Sequence, residues 1–260
     1  MVFPLSDDNR DRRSVPVVNI GLIAANVLVF VLFQGMGSNE AFTMSFATVP
    51  EEIVTGRDVV TPPQIDEVQT PEGIRKVKRP GLGRTPIPVY LTLITAMFMH
   101  GGLAHLAGNM WFLWIFGDNI EDDLGRVRYL LFYLLSGILA SLAHVAVSAS
   151  GPQAEIPSLG ASGAISGVMG AYLVLHPLSR VTVLMFRVVM DVPAYVAVGL
   201  WFLFQLVSGL GMLGGTNTGG GVAFAAHIGG FIAGAALIHP FLIGRRPAID
   251  QRLEPPGPEW

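Results

Sequence analysis

Residues 192–244, VPAYVAVGLWFLFQLVSGLGMLGGTNTGGGVAFAAHIGGFIAGAALIHPFLIG, run for 53 positions without an Asp, Glu, Lys or Arg. Crossing the hydrocarbon of a bilayer takes about 20 predominantly apolar residues, so this stretch is too long for one span and long enough for two. Its middle, residues 209–221, holds seven glycines, and glycine is a poor helix former. The stretch therefore reads as two membrane helices, near 192–209 and 222–243, joined by a glycine-rich loop.

Working outward, the remaining charges fall into clusters that leave four more uncharged runs, at 14–39, 85–117, 129–154 and 156–179. Each accommodates one span, near 15–34, 100–118, 126–148 and 162–178, for a total of six. The composition agrees: 51% of the 260 residues are hydrophobic and 13% charged, against roughly 25% charged in a soluble domain. A net charge of −3 offers no counter-charge for phosphates, which argues against nucleic acid as a partner. The chain has no cysteine, which removes disulfides, thiolate metal sites and a cysteine nucleophile together. A cleavable signal peptide is an alternative for the first segment, but its apolar stretch is long for a signal core and no small-x-small site follows it closely.

Basic residues hold membrane segments on the cytoplasmic side. Arg10, Arg12 and Arg13 precede the first span, Arg126 and Arg128 follow the second, Arg180 and Arg187 the fourth, and Arg245 and Arg246 the sixth. These four places lie on one face. The connections 149–161 and 210–221 on the other face carry no Lys or Arg. The first loop, 35–99, dissents with six basic residues, but long loops translocate with little regard to charge. Both termini are expected in the cytoplasm, with a tail at 1–14, a six-span core at 15–243 and a second tail at 244–260, of which 247–260 is read as disordered from its four prolines. Within the first loop, residues 51–84 look exposed, and 87–99 read as an apolar interfacial or re-entrant segment.

With charges outside the spans, the polar residues at membrane depth become functional candidates, because they cost energy unless paired. Four stand out: His105 and Asn109, one turn apart in the second span; Ser162, at the start of the fourth; and His227, near the start of the sixth. These three spans all run from outside to inside, so the four residues share the outer layer, roughly 0–14 Å below the surface. Gly163, Gly167 and Gly170 in the fourth span and Gly230 and Gly234 in the sixth form small-x-x-x-small patterns that let helix backbones approach closely. Such an approach brings the Ser162 hydroxyl within reach of a His227 ring nitrogen, the arrangement that activates a nucleophile. The Ser162 backbone N–H, at a helix start, is a free donor for an oxyanion, and His105 and Asn109 offer two more.

Taken singly, each residue has a plainer explanation. A lone serine in a membrane helix most often packs or bonds back to its own turn, a lone histidine is most often structural, and Asn109 alone reads as a bridge between helices. His144, His176 and His239, each near a span end, are read as structural or interfacial. Only the shared depth favours the catalytic reading.

Beyond this point the residues resemble the rhomboid family of intramembrane serine proteases, over the six-span core. Residues 95–109, TAMFMHGGLAHLAGN, are similar to the family's second-span signature, and Gly117, Glu121 and Gly125 to its G-x-x-x-E-x-x-x-G turn. Gly160-Ala161-Ser162-Gly163 resembles the nucleophile motif, and Ala226-His227-x-x-Gly230-x-x-x-Gly234 the histidine helix. The resemblance implies a six-transmembrane-helix, all-α bundle with a long first extracytoplasmic loop, without cofactor or metal. It implies Ser162 as nucleophile, His227 as general base, and an oxyanion hole from His105, Asn109 and the Ser162 N–H. The implied substrates are single-span membrane proteins in the lipid bilayer, cut near the outer end of their helix where the chain unwinds. Some relatives place an aromatic one turn after the nucleophile, against the imidazole; this chain has Ser166 there. The family's Trp-Arg pair is absent from 35–99, which holds no tryptophan.

Rival classes make different demands. A catalytically inactive rhomboid-like escort of membrane proteins lacks the Ser or the His, and both are present. A channel or transporter calls for charged relays or broken helices at mid-membrane. A zinc protease calls for H-E-x-x-H, and an α/β-hydrolase for G-x-S-x-G; neither pattern occurs around Ser162. No acid is found at its depth, so a Ser162/His227 dyad is expected. The loop 209–221 reads either as a moving cover or as a plain connector. The absence of an organellar targeting segment suggests a bacterial cytoplasmic membrane.

Overall fold

The computed structural model describes residues 2–10, 12–70, 73–213 and 222–245. Its α-helices are α1 (Val17–Leu28), α2 (Glu40–Phe46), α3 (Pro50–Thr55), α4 (Thr92–Thr95), α5 (Leu103–Leu124), α6 (Arg126–Ser148), α7 (Ser162–Leu175), α8 (Ala194–Leu213) and α9 (Val222–Leu242). The first runs on through a π-helical turn, Val29–Phe33. The six expected spans coincide with α1 and α5 to α9. By length and composition α6 and the Phe224–Leu242 part of α9 suffice to cross a bilayer alone, and Val89–Phe98 with α5 forms a pair bent by 82° that suffices together. Val17–Phe33, Ser162–Leu175 and Ala194–Ser208 are shorter apolar helices. The bent segment Val89–Phe98 lies where the sequence suggested an interfacial or re-entrant piece.

The centre of the bundle is α7, whose residues 163–172 are all buried. Its sequence explains the position: Ser-Gly-Ala-Ile-Ser-Gly-Val-Met-Gly-Ala carries no charge on any face, and a helix apolar all round is a buried one. Against it packs α9, with backbones nearly touching. A Cβ built on Gly230 would overlap the Gly163 carbonyl, one on Gly234 the Gly167 carbonyl, and one on Gly170 the Phe231 carbonyl. On the α6 side, Gly163 meets Ala140 and Gly167 meets Ser136. The rest of the core is large and apolar, with Phe116, Ile120, Tyr129, Tyr133 and Tyr172 at most 1% exposed.

Two expectations are corrected. The fold is mostly helical rather than all-α, because among the described residues five strands lie outside the long helices: β1 (Val2–Asp7), β2 (Gln64–Thr70), β3 (Gly73–Arg79), β4 (Arg180–Met185) and β5 (Val188–Pro193). Strands β4 and β5 are rich in valine, which favours extended backbone. They turn through Phe186 and Arg187, both at positive φ, in the two-residue geometry that matches strand twist. The antiparallel order β1-β4-β5 draws residues 2–7, within the expected tail, onto the loop between α7 and α8. Secondly, residues 51–84 are not uniformly exposed. Glu52, Ile53 and Leu82 are buried, and Glu52 Oε1 accepts the Val59 amide at 3.0 Å.

At its C-terminal end α5 runs on to Leu124 and carries Asp118, Glu121 and Asp123 into buried positions. Each has a partner there. Arg12 donates to Asp118 at 2.8 Å, and His176 Nε2 lies 2.6 Å from Asp123 Oδ2. Glu121 accepts the Val18 and Asn19 amides at 3.0 and 2.7 Å, capping the first turn of α1. Gly117 leaves room for the Asn19 side chain, and Gly125, at φ +73°, turns the chain into α6. The G-x-x-x-E-x-x-x-G pattern is thus a docking device for α1.

The expected loop 209–221 begins later, since α8 continues through Gly209 and Gly211 to Leu213. Residues 214–221, and the tail from 246 onward, lie outside the described residues, and the cover reading of the loop and the disorder reading of the tail fall there.

Candidate active site

The first loop builds the approach to Ser162. Thr48 and Ser158 exchange backbone hydrogen bonds at 3.0 and 2.8 Å, Glu51 N–H donates to the Ala154 carbonyl at 2.9 Å, and Gly160 N–H donates to the Ala96 carbonyl at 2.9 Å. Gly160 then adopts φ +130°, and a Cβ there would press on the His105 ring at 3.0 Å. Only glycine meets both demands. Two residues on, Ser162 opens α7, so its N–H has no intrahelical carbonyl to meet.

His105 and Asn109 occupy the first two turns of α5. The start of that helix is anchored by Gln34: its Oε1 accepts the His100 amide at 2.9 Å, and its Nε2 donates to the His100 carbonyl and to Thr43, both at 3.0 Å. His105 Nδ1 accepts the Gly101 amide at 3.3 Å. The ring proton of the neutral imidazole then sits on Nε2, pointing away from the helix start as a donor. Asn109 is 8% exposed, and its Nδ2 has no hydrogen-bond partner. A buried amide donor left open costs about 1–3 kcal/mol, which is tolerated where a ligand or substrate supplies the acceptor.

His227 closes the site from α9. Its Nε2 lies 2.8 Å from Ser162 Oγ, and its Nδ1 lies 2.9 Å from Gln205 Oε1. All four sequence-chosen residues, Ser162, His227, His105 and Asn109, line one cavity of about 480 Å³ between α5, α7, α8 and α9. Gly160 and Gly163 line it too, whereas Gly167, Gly230 and Gly234 belong to the helix seam and Glu121 to the α1 cap. The Ser166 hydroxyl donates back to the Ser162 carbonyl at 2.6 Å and does not reach the imidazole. His144 and His176 lie outside the cavity, bonded to Ser148 and Asp123.

Sequence reading missed Gln205 and Trp201. The indole ring centre of Trp201 lies 6.1 Å from that of the imidazole. Gln205 carried a usable signal, as the one amide of the expected span 192–209, where an unpaired polar group is costly. Among the described residues no group of three or more His, Cys, Asp or Glu is placed to hold a metal ion.

A mostly helical integral membrane protein with a hydrogen-bonded serine and histidine in a cavity between its helices is the class that this geometry defines. The chain belongs to the rhomboid family: a family model described as Rhomboid domain matches residues 88–243. It is 47% identical over 81 residues to RHOMBOID-like protein 6, mitochondrial, of Arabidopsis thaliana, covering 31% of this chain and 25% of that protein. It is 44% identical over 81 residues to Rhomboid protease GluP of Bacillus subtilis, covering 31% and 15%. Over a longer stretch, 165 residues, it is 28% identical to the human Presenilin-associated rhomboid-like protein, mitochondrial, covering 63% and 34%. The matched stretches thus span about a third or less of these relatives.

Proposed function

We propose that this protein is an intramembrane serine endopeptidase that cleaves single-span membrane proteins near the outer end of their transmembrane helix. The observation that carries the reading is the 2.8 Å contact between Ser162 Oγ and His227 Nε2. That distance falls within the range for O–H···N transfer to a general base. It sits beside an Asn109 donor with nothing to bind. The rhomboid membership of the chain and the protease name of the Bacillus relative support the same reading.

In this mechanism Ser162 Oγ attacks the scissile carbonyl carbon as its proton passes to His227 Nε2. The oxygen that becomes negative accepts hydrogen bonds from Asn109 Nδ2, His105 Nε2–H and the Ser162 N–H. The intermediate collapses, the C–N bond breaks, and His227 hands its proton to the departing amine. Water then attacks the acyl-enzyme, with His227 again taking a proton, and Ser162 is restored. A helical peptide bond has its carbonyl already hydrogen-bonded and its carbon shielded, which is why the substrate must unwind before it fits.

The topology that goes with this function has six spans, α1 and α5 to α9, both termini cytoplasmic and the cavity opening to the extracytoplasmic side. The support is the distribution of arginines. The relatives include plant and animal mitochondrial proteins as well as one from Bacillus, so they do not favour the bacterial cytoplasmic membrane that the sequence suggested. Reconstituted with a model single-span substrate, the wild type is expected to cut it and Ser162→Ala to leave it whole. Cleavage by the alanine variant at the wild-type rate would overturn the assignment.

A further inference from the structure

The imidazole of a serine–histidine pair works as a base only in one tautomer. Nε2 must be free to take the serine proton, so Nδ1 must carry the other one, and some acceptor has to hold it. Around His227, among the described residues, α7 offers no such acceptor, since the Ser166 hydroxyl is turned to the Ser162 carbonyl at 2.6 Å. From α5 the approaching titratable group is His105, whose Nδ1 is already taken by the Gly101 amide at 3.3 Å. The helix that supplies the missing partner is α8. Gln205 Oε1 lies 2.9 Å from His227 Nδ1, the side chain is 7% exposed, and one turn earlier Trp201 sets its indole beside the same imidazole and against Phe231.

We propose that Gln205 is a positioning residue of the site: its Oε1 accepts the Nδ1 proton of His227 and holds the ring in the tautomer and orientation that leave Nε2 aimed at Ser162. The inference rests on the protease reading above and adds a third member to its expected dyad. An amide suits the place for a physical reason. A carboxylate would stabilise the imidazolium more strongly but must itself be kept charged away from water, at a cost of several kcal/mol. A neutral acceptor orients the ring without that burden. The depth agrees as well, because Gln205 is eight residues before the end of α8, roughly 12 Å along the helix from its outer end. That is the layer of His105, Asn109, Ser162 and His227. The amide can act this way only with its oxygen toward the ring, because the NH₂ group would donate to Nδ1, force the proton onto Nε2 and abolish the base.

The test compares Gln205→Met, which keeps the length and removes the acceptor, with Gln205→Glu, which keeps an acceptor and adds charge. Each is measured for kcat and KM on a single-span model substrate, for its rate of labelling by a fluorophosphonate, and for its melting temperature. The methionine variant is expected to lose roughly 10²-fold in kcat and in labelling rate, with KM and melting temperature unchanged. That lies between the loss seen for groups that orient metal-bound histidines and the larger loss of a triad carboxylate. The glutamate variant is expected to recover most of the rate, and the acid limb of its kcat/KM profile to move up by about one pH unit, as a carboxylate beside an imidazole dictates. A methionine variant as fast as wild type, or a glutamate variant as slow as methionine with an unmoved acid limb, overturns the inference while leaving the Ser162–His227 assignment intact. A wild type that neither labels at Ser162 nor cuts removes that assignment and this inference with it.

Discussion

Asn109 is the residue where stability and function make opposite demands. Its Nδ2 is buried with no partner, so removing it costs the fold nothing and relieves an unmet donor. For the proposed reaction the same atom is one of three donors to the oxyanion, and losing one such donor slows catalysis by roughly 10²–10³-fold. Asn109→Ala should therefore lower kcat by about that factor while the melting temperature stays level or rises. An equal fall in both would mark Asn109 as a structural residue. The candidates at this scale were legible in the sequence because polar side chains are scarce in uncharged runs. Gln205 escaped because the choice rested on motifs and on helix starts, whereas its role depends on how α8 leans on α9, which no local pattern encodes.

At the scale of elements, the contact of α7 with α9 is set by glycines whose absent side chains are replaced by carbonyl oxygens of the facing helix. Alanine at Gly234 would place its Cβ inside the Gly167 backbone, and backbone cannot rotate away as a flexible side chain can. Gly234→Ala is expected to cost about 1–3 kcal/mol, the usual range for overpacking, and to slow cleavage by spreading Ser162 from His227. Chemical denaturation in detergent micelles measures the first effect, and an unchanged stability would contradict the close packing.

The N-terminal strand makes a second prediction at this scale. Burial first, and then the neighbouring Asp118 carboxylate, push Asp7 up from the ordinary 3.8 to about 7, where it meets Asn119 and the Tyr172 hydroxyl. Between those values the folded chain keeps a proton that the unfolded chain has released. The contribution of this group to stability is thus full below about pH 4 and is lost as pH rises through about 7. Amide exchange over residues 2–7, corrected for the intrinsic pH dependence, should show protection falling from pH 5 to 8 in the wild type and staying flat in Asp7→Asn. Equal pH dependence in both would dismiss Asp7 as the cause. None of this docking was legible beforehand, because a short segment reads as a tail until the strand it pairs with, 183 residues away between Val2 and Met185, is brought alongside.

For the whole molecule, the placement of charges marked out the positions of all six long helices, since excluding charge from hydrocarbon is a strong and local constraint. It was less informative at the C-terminal end of α5, where Asp118, Glu121 and Asp123 are buried against specific partners rather than excluded. The orientation is open to direct test, because the chain has no cysteine of its own. Single cysteines placed at Arg57 and at Arg187 should react with an impermeant maleimide from opposite sides of a sealed vesicle, and reaction from the same side would contradict the six-span reading. The central proposal is that Ser162 is a nucleophile activated by His227. Labelling of the membrane-embedded protein with a fluorophosphonate, followed by mapping of the modified peptide, tests it most directly. The account predicts a single adduct on Ser162 that is absent in Ser162→Ala and strongly slowed in His227→Ala; labelling that persists in Ser162→Ala, or that is indifferent to the loss of His227, would contradict it.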